Sequence, residues 1–204
     1  MTLHPELLYT FATGNQTAET QEQLHRIVVY LLQVFDEEQE RFATVNNLPI
    51  EEETYAEMRQ DYAAYLADLV LGLRTRMIDK QQRMKDDGTF DRMVLFLMVV
   101  NEFDRIEHSE WSNAKQLAQL NVVQHFRLTH PGATIMKRWV AHAGGCERCL
   151  AMDGVEVPID EPFLVAGQAV QTANGEAFIY DYISRDVAIM HPNDRCYVEF
   201  IITY

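Results

Sequence analysis

Cysteine is scarce in this chain, with three in 204 residues, all of them in the C-terminal third. An odd number of thiols in two tight clusters does not make a disulfide framework, and it favours reduced thiolates held for a metal. Positive charge is also short: 17 Lys and Arg stand against 31 Asp and Glu, for a formal charge of -14. General affinity for nucleic acid comes mainly from cationic side chains displacing phosphate counterions, so that balance works against a general nucleic-acid binder; a zinc module that regulates transcription or binds single-stranded nucleic acid is the alternative reading. Arg127, Lys137, Arg138, Arg148 and Arg195 do fall in the C-terminal third, where they read as ordinary surface residues. Long apolar runs are missing. The most apolar stretch, 93–100, is far short of the roughly 20 residues needed to span a bilayer, and residues 1–9 show no cationic flank followed by an apolar run. No membrane partner and no signal peptide are therefore expected, and synthesis is expected in the cytoplasm. What is present is ordinary for a folded domain, with 48% hydrophobic and 24% charged residues.

The first two thirds read as helix. Thr20 and Gln23 have capping-box spacing, after which Leu24, Ile27, Val28, Leu31, Leu32 and Phe35 recur at steps of three and four. Asn46, Asn47 and Pro49 end that element. A second helix is expected from about Glu51, with Tyr55, Met58, Tyr62, Leu66, Leu69, Leu73 and Met77 on its buried side and Asp86-Asp87-Gly88 as its stop. A third is expected over about 90–106 and contains the stretch 93–100, apolar on every side, as in the centre of a bundle or an oligomer interface. A fourth is expected to start at Ser109 as N-cap and to end before Pro131-Gly132. His108, His125 and His130, scattered around its ends, receive no chemical role.

From Thr134 the period changes to two. Ile135, Lys137, Trp139 and Ala141 alternate with Met136, Arg138, Val140 and His142, the pattern of a strand. Asp153-Gly154 signals a turn before residues 155–157, and residues 163–165 and 177–180 flank turn-rich sequence around Gly167 and Asn174-Gly175 that suggests a hairpin. Residues 197–204 read as a last strand. The predicted fold is therefore α+β: an N-terminal helical bundle or extended helices over residues 1–132, followed by a small β-rich zinc-binding module over residues 133–204.

The zinc expectation rests on Cys146-Glu147-Arg148-Cys149 and His191-Pro192-Asn193-Asp194-Arg195-Cys196. Two cysteines separated by two residues let one turn of backbone aim both sulfurs at one tetrahedral ion, and His191 and Cys196 are available to close a Cys3His shell. Asp194 and His142 are alternatives for the fourth ligand. Four protein ligands leave no position for a catalytic water, so the zinc is read as structural, supplying on the order of ten kcal/mol to a module with little core of its own.

Enzymatic readings lack their residues. A zinc deaminase requires His-x-Glu upstream of its Cys pair, whereas the chain has His142-Ala143-Gly144. The turn at Asp153-Gly154 does not suit a thioredoxin-like pair, and neither a phosphate-binding Gly-rich loop nor His-Glu-x-x-His is present. No enzyme is expected.

Trp139, the Cys146/Cys149 pair, Met152-Asp153-Gly154 and the segment from His191 to Cys196 together resemble the C-terminal signature of the phage Mu F-like head morphogenesis family, the minor head proteins of tailed bacteriophages. The helix with Asn113, Ala114 and Asn121 is similar to the one that precedes that signature. The likeness covers residues 109–204, and it departs from the family where Asp194 stands in place of the first Cys of the usual terminal pair. The resemblance implies a structural virion protein of the phage head or neck. It would bind portal, major capsid or scaffolding protein during capsid assembly and contact packaged DNA at most weakly, and a homo-oligomer stays open.

Overall fold

The structure is a computed structural model and describes residues 5–14, 17–48, 50–180, 186–188 and 195–204. Four helices, α1 (Pro5–Ala12), α2 (Ala18–Val45), α3 (Glu52–Asp86) and α4 (Arg92–Thr129), precede strand β1 (Thr134–Val140) and the short helix α5 (Glu147–Ala151). Strands β2 (Glu156–Pro158), β3 (Gln168–Gln171), β4 (Ala177–Tyr180) and β5 (Tyr197–Thr203) complete the chain. The chain is thus α+β. Among the described residues no helix is long and apolar enough to cross a membrane.

Local chemistry sets the helix ends. The box at the start of α2 lies three residues earlier than expected: the Thr17 N–H donates to Thr20 Oγ1 at 2.9 Å, and the Thr20 N–H donates to Thr17 Oγ1 at 3.2 Å. Thr20 is therefore the partner of the cap and not the cap. At the other end Asn47 takes φ of 53°, letting the Leu48 N–H donate to the Ala43 carbonyl at 2.8 Å. Helix α3 stops the same way: Gly88 takes φ of 67°, and the Thr89 N–H reaches the Met84 carbonyl at 2.8 Å.

The expected third and fourth helices are one. Asp91 caps α4 by accepting from the N–H groups of Met93 at 2.7 Å and Val94 at 3.1 Å, and Ser109 lies inside the helix, not at its start. Leu95, Val99, Phe103 and Ile106 are buried, and the same face runs on through Glu110 and Asn113. These two polar residues are buried because they satisfy each other, Asn113 Nδ2 donating to Glu110 Oε2 at 2.8 Å. In the all-apolar stretch Met93 and Leu97 are 63% and 52% exposed, so only one side of it is core.

Two compact units are present, Met1–Gln33 with Ala56–His108, and Val34–Tyr55 with Ser109–Tyr204. The core of the second unit joins helix to sheet: Ala43, Leu120, Val123 and Phe126 cluster with Ile135, Trp139, Ile159, Leu164 and Val198. In the first unit, α1 was not foreseen. Its eight residues are too few to establish a period, yet Leu8, Tyr9, Phe11 and Ala12 are buried, and Arg74 lies over the Phe11 ring while donating to the Gly14 carbonyl at 3.0 Å.

The sheet of the second unit is antiparallel in the order β2-β1-β5. Its central strand turns Ile135, Lys137 and Trp139 inward, as the alternation predicts. Lys137 is consequently fully buried and is no surface residue. The hairpin pairs β3 with β4 across Asn174-Gly175, Gly175 taking φ of 85°. Its first arm is 168–171, not 163–165: Phe163 and Leu164 are spent as core instead.

Candidate metal centre

The Cys pair stands on a loop whose two stems are locked together. At its base the Trp139 N–H donates to the Val155 carbonyl at 2.9 Å and the Gly154 N–H donates to the Trp139 carbonyl at 2.8 Å. One step further in, the Ala141 N–H donates to Asp153 Oδ1 at 2.8 Å. Gly154 takes φ of 77°, the left-handed conformation that favours glycine in such a turn. Gly145 is needed for a different reason, since a Cβ there would stand 3.0 Å from the His142 carbonyl oxygen and 3.4 Å from Cys149 Cβ.

Cys146 is the N-cap of α5, with φ of -68° and ψ of 164°, and Cys149 follows one turn later inside it. A five-residue helix therefore carries the pair. The result is the pairing that the spacing anticipates: the two sulfurs lie 3.6 Å apart. Two thiolates at about 2.3 Å from a tetrahedral zinc stand about 3.8 Å from each other. The observed separation is close to that value. Cys146 is exposed and Cys149 is 1% exposed, so the pair lies at the edge of the core.

Cys196 enters from the other end of the chain. The β1–β5 register ends with Val140 opposite Tyr197, and Cys196 is the residue before β5. It is 2% exposed and belongs to the same core cluster as Cys149 and Trp139. None of the three cysteines is in a disulfide. His191 and Asp194 lie outside the described residues. Among the described residues no group of three or more His, Cys, Asp or Glu side chains gathers at one point.

His142 is exposed, and its Nδ1 accepts from the Gly144 N–H at 3.1 Å.

Two residues that carry the site's framework escaped the sequence reading. Gln116 on α4 is 4% exposed and uses both ends of its amide, Oε1 accepting from the Ala188 N–H and Nε2 donating to the Cys196 carbonyl, each at 2.9 Å. Lys137 Nζ donates to the Asp186 carbonyl at 3.0 Å and lies 5.2 Å from the centre of the Phe163 ring. Burial lowers the Lys137 pKa, and the neighbouring Asp186 carboxylate opposes that shift. The signal for Gln116 was available: Asn113, Gln116, Leu120 and Val123 share one helix face, and an amide in a buried stripe requires partners.

The basic residues are mostly answered by acids or rings. Arg138 donates to Glu156 and Glu199 at 2.8 Å each, its cross-strand neighbours on β2 and β5. Arg127 pairs with Asp160 at 3.0 Å, and the Arg148 guanidinium lies 5.0 Å from the centre of the Phe178 ring.

Comparisons of the chain with protein-family models, with curated proteins and with solved structures give no match.

Proposed function

We propose that this chain is a minor head protein of a tailed bacteriophage: a structural virion component that binds portal, major capsid or scaffolding protein during head assembly. Its C-terminal part would be held by one zinc ion on Cys146, Cys149, His191 and Cys196. The observation that carries the metal part is the 3.6 Å separation of the Cys146 and Cys149 sulfurs. Zinc bound there would supply cross-linking free energy, tying the loop after β1 to the chain that enters β5.

The phage part rests on the resemblance of the signature, and the roles of its non-ligand residues support it. Trp139 and Gly154 close the base of the Cys loop and Asp153 ties it to Ala141, so the motif's members serve one local structure. A four-ligand shell has no open position, so the protein acts by binding and not by catalysis. A nucleic-acid-binding module has less support, because Arg138 is already engaged by two carboxylates.

Two measurements test this. Metal analysis of the purified chain should give about one zinc per chain; a chain that folds fully and takes up no zinc removes the metal. Purified virions and proheads of the phage that encodes the chain should contain it, and its absence from both ends the head-protein reading.

A further inference from the structure

The Cys146/Cys149 pair is asymmetric in a way that its spacing does not reveal. Cys146 is exposed, whereas Cys149, one turn later, is 1% exposed, and their sulfurs stand 3.6 Å apart. The sulfurs of a disulfide are about 2.0 Å apart, so closing that bond needs a movement of roughly 1.5 Å. Cys146 makes no side-chain capping bond to α5 that such a movement would break. The two residues between the thiols are turned to the β3–β4 hairpin: Glu147 Oε2 accepts from Asn174 Nδ2 at 2.9 Å, and the Arg148 guanidinium lies 5.0 Å from the centre of the Phe178 ring. They tie α5 to the hairpin while Cys146 stays exposed.

We propose that Cys146 and Cys149 form a reversible dithiol–disulfide pair in which Cys146 attacks and Cys149 resolves, with a small-molecule disulfide such as glutathione disulfide as oxidant; this needs only the pair and not the ion. In the first step the Cys146 thiolate attacks one sulfur of the oxidant, a mixed disulfide forms on Cys146, and one glutathione thiolate leaves. In the second the Cys149 thiolate attacks the Cys146 sulfur, the Cys146–Cys149 bond forms, and the second glutathione thiolate leaves. The two protein thiols are oxidised, the oxidant is reduced to two glutathiones, and the two protons pass through solvent to the leaving thiolates. Access sets the order. A tripeptide-sized oxidant does not reach a sulfur that is 1% exposed, whereas Cys149 has only to reach a neighbour 3.6 Å away. Zinc and the disulfide exclude each other on this pair, because coordination requires both sulfurs as thiolates.

The test incubates the full chain, in chelator, with glutathione disulfide, then quenches by alkylation and reads intact mass and peptide maps. The unmodified chain should lose two thiols, gain no glutathione, carry a Cys146–Cys149 link and recover both thiols in dithiothreitol. Cys149→Ser should accumulate one glutathione on Cys146; if it does not fold, Cys149→Ala is read in the same way. Cys146→Ser should stay unmodified until it is unfolded in urea, because both remaining thiols are buried. A chain that does not react, a mixed disulfide that persists on Cys146 of the unmodified chain, a link to Cys196, or a folded Cys146→Ser as reactive as the unmodified chain overturns the proposal. Zinc content, measured separately on the reduced chain, keeps the two readings apart: zinc uptake without disulfide formation in chelator leaves the metal site and removes the redox pair, and a disulfide in a chain that takes up no zinc does the reverse.

Discussion

Lys137 donates to the Asp186 carbonyl from inside the core, its side chain wholly buried while the Asp186 carboxylate, 3.7 Å away, is half exposed. The central strand of the sheet therefore points a cation inward between Ile135 and Trp139, and the chain at Asp186 comes to meet it. The ammonium has its hydrogen bond, but it has lost most of its hydration.

Removing that charge should not harm the fold. Lys137→Met keeps the length and apolar body of the side chain and removes the desolvation cost of the ammonium, while the Asp186 carboxylate, 55% exposed, stays hydrated without its partner. Lys137→Ala should instead cost about 2–4 kcal/mol, as large-to-small core changes do. The pH dependence has a definite sign. With its pKa lowered in the folded protein, Lys137 binds fewer protons there than in the unfolded chain, so its contribution to stability rises with pH from that lowered value up to the ordinary 10.5. Urea titrations across the alkaline range should show this rise in the unmodified protein and lose it in Lys137→Met.

Glu38 behaves in the opposite sense. Burial raises its pKa, but hydrogen bonds from Arg41 and Gln119 outweigh burial and leave it below the ordinary 4.5. Its contribution is fully present above 4.5 and is lost as the pH falls through the lower folded value. Glu38→Gln should cost about 1–2 kcal/mol at neutral pH, the low end for bonds to a charged group because Arg41 is half exposed. Thermal unfolding between neutral pH and pH 3 should bring the two proteins together at the acid end; a constant gap would count against this assignment.

Continuity of α4 through Ser109 is also open to a direct test. Proline inside a helix removes one backbone hydrogen bond and clashes with the preceding turn, at about 3 kcal/mol or more, whereas the first positions of a helix tolerate it. Ser109→Pro should therefore lower stability by at least that much in chemical denaturation and reduce the helical circular dichroism signal. A variant as stable as the unmodified chain would mean that a helix begins at Ser109 after all.

The elements most legible in the sequence were those with a single strong local signal. The apolar faces of α2 and α3, the period of two in β1 and the Cys-x-x-Cys spacing each correspond to what the fold contains. The errors arose where buried polar residues break an apolar period by bonding to each other, or where a position's partner is distant in sequence. Glu110 and Asn113 interrupt the apolar period of α4, so the helix reads as broken there, yet each is the other's hydrogen-bond partner. Lys137 looks like a surface cation because its acceptor is 49 residues away. Gln116 stands in a legible buried stripe, but its partners lie 72 and 80 residues along the chain, so no local window names them. Helix α1 carried too few residues for a pattern, and its burial depends on Arg74, Arg92 and Phe96, which no local window includes.

The two thiols of the pair should respond very differently to mutation depending on whether metal is present. Cys146 is exposed and a serine can take its place as N-cap of α5, so in chelator Cys146→Ser should change stability by no more than about 0.5 kcal/mol. Cys149 is packed in the core beside Gly145, and Cys149→Ser places a hydroxyl there, with an expected cost of about 1–3 kcal/mol even without metal. With zinc bound both substitutions remove a ligand, and both should abolish most of the stabilisation that the ion provides. The decisive quantity is the difference in thermal midpoint with and without chelator for each variant. A structural zinc predicts a large difference in the unmodified chain and nearly none in either mutant. If Cys146→Ser retained the full difference, Cys146 would not be a ligand, and the 3.6 Å pair would be a packing contact only.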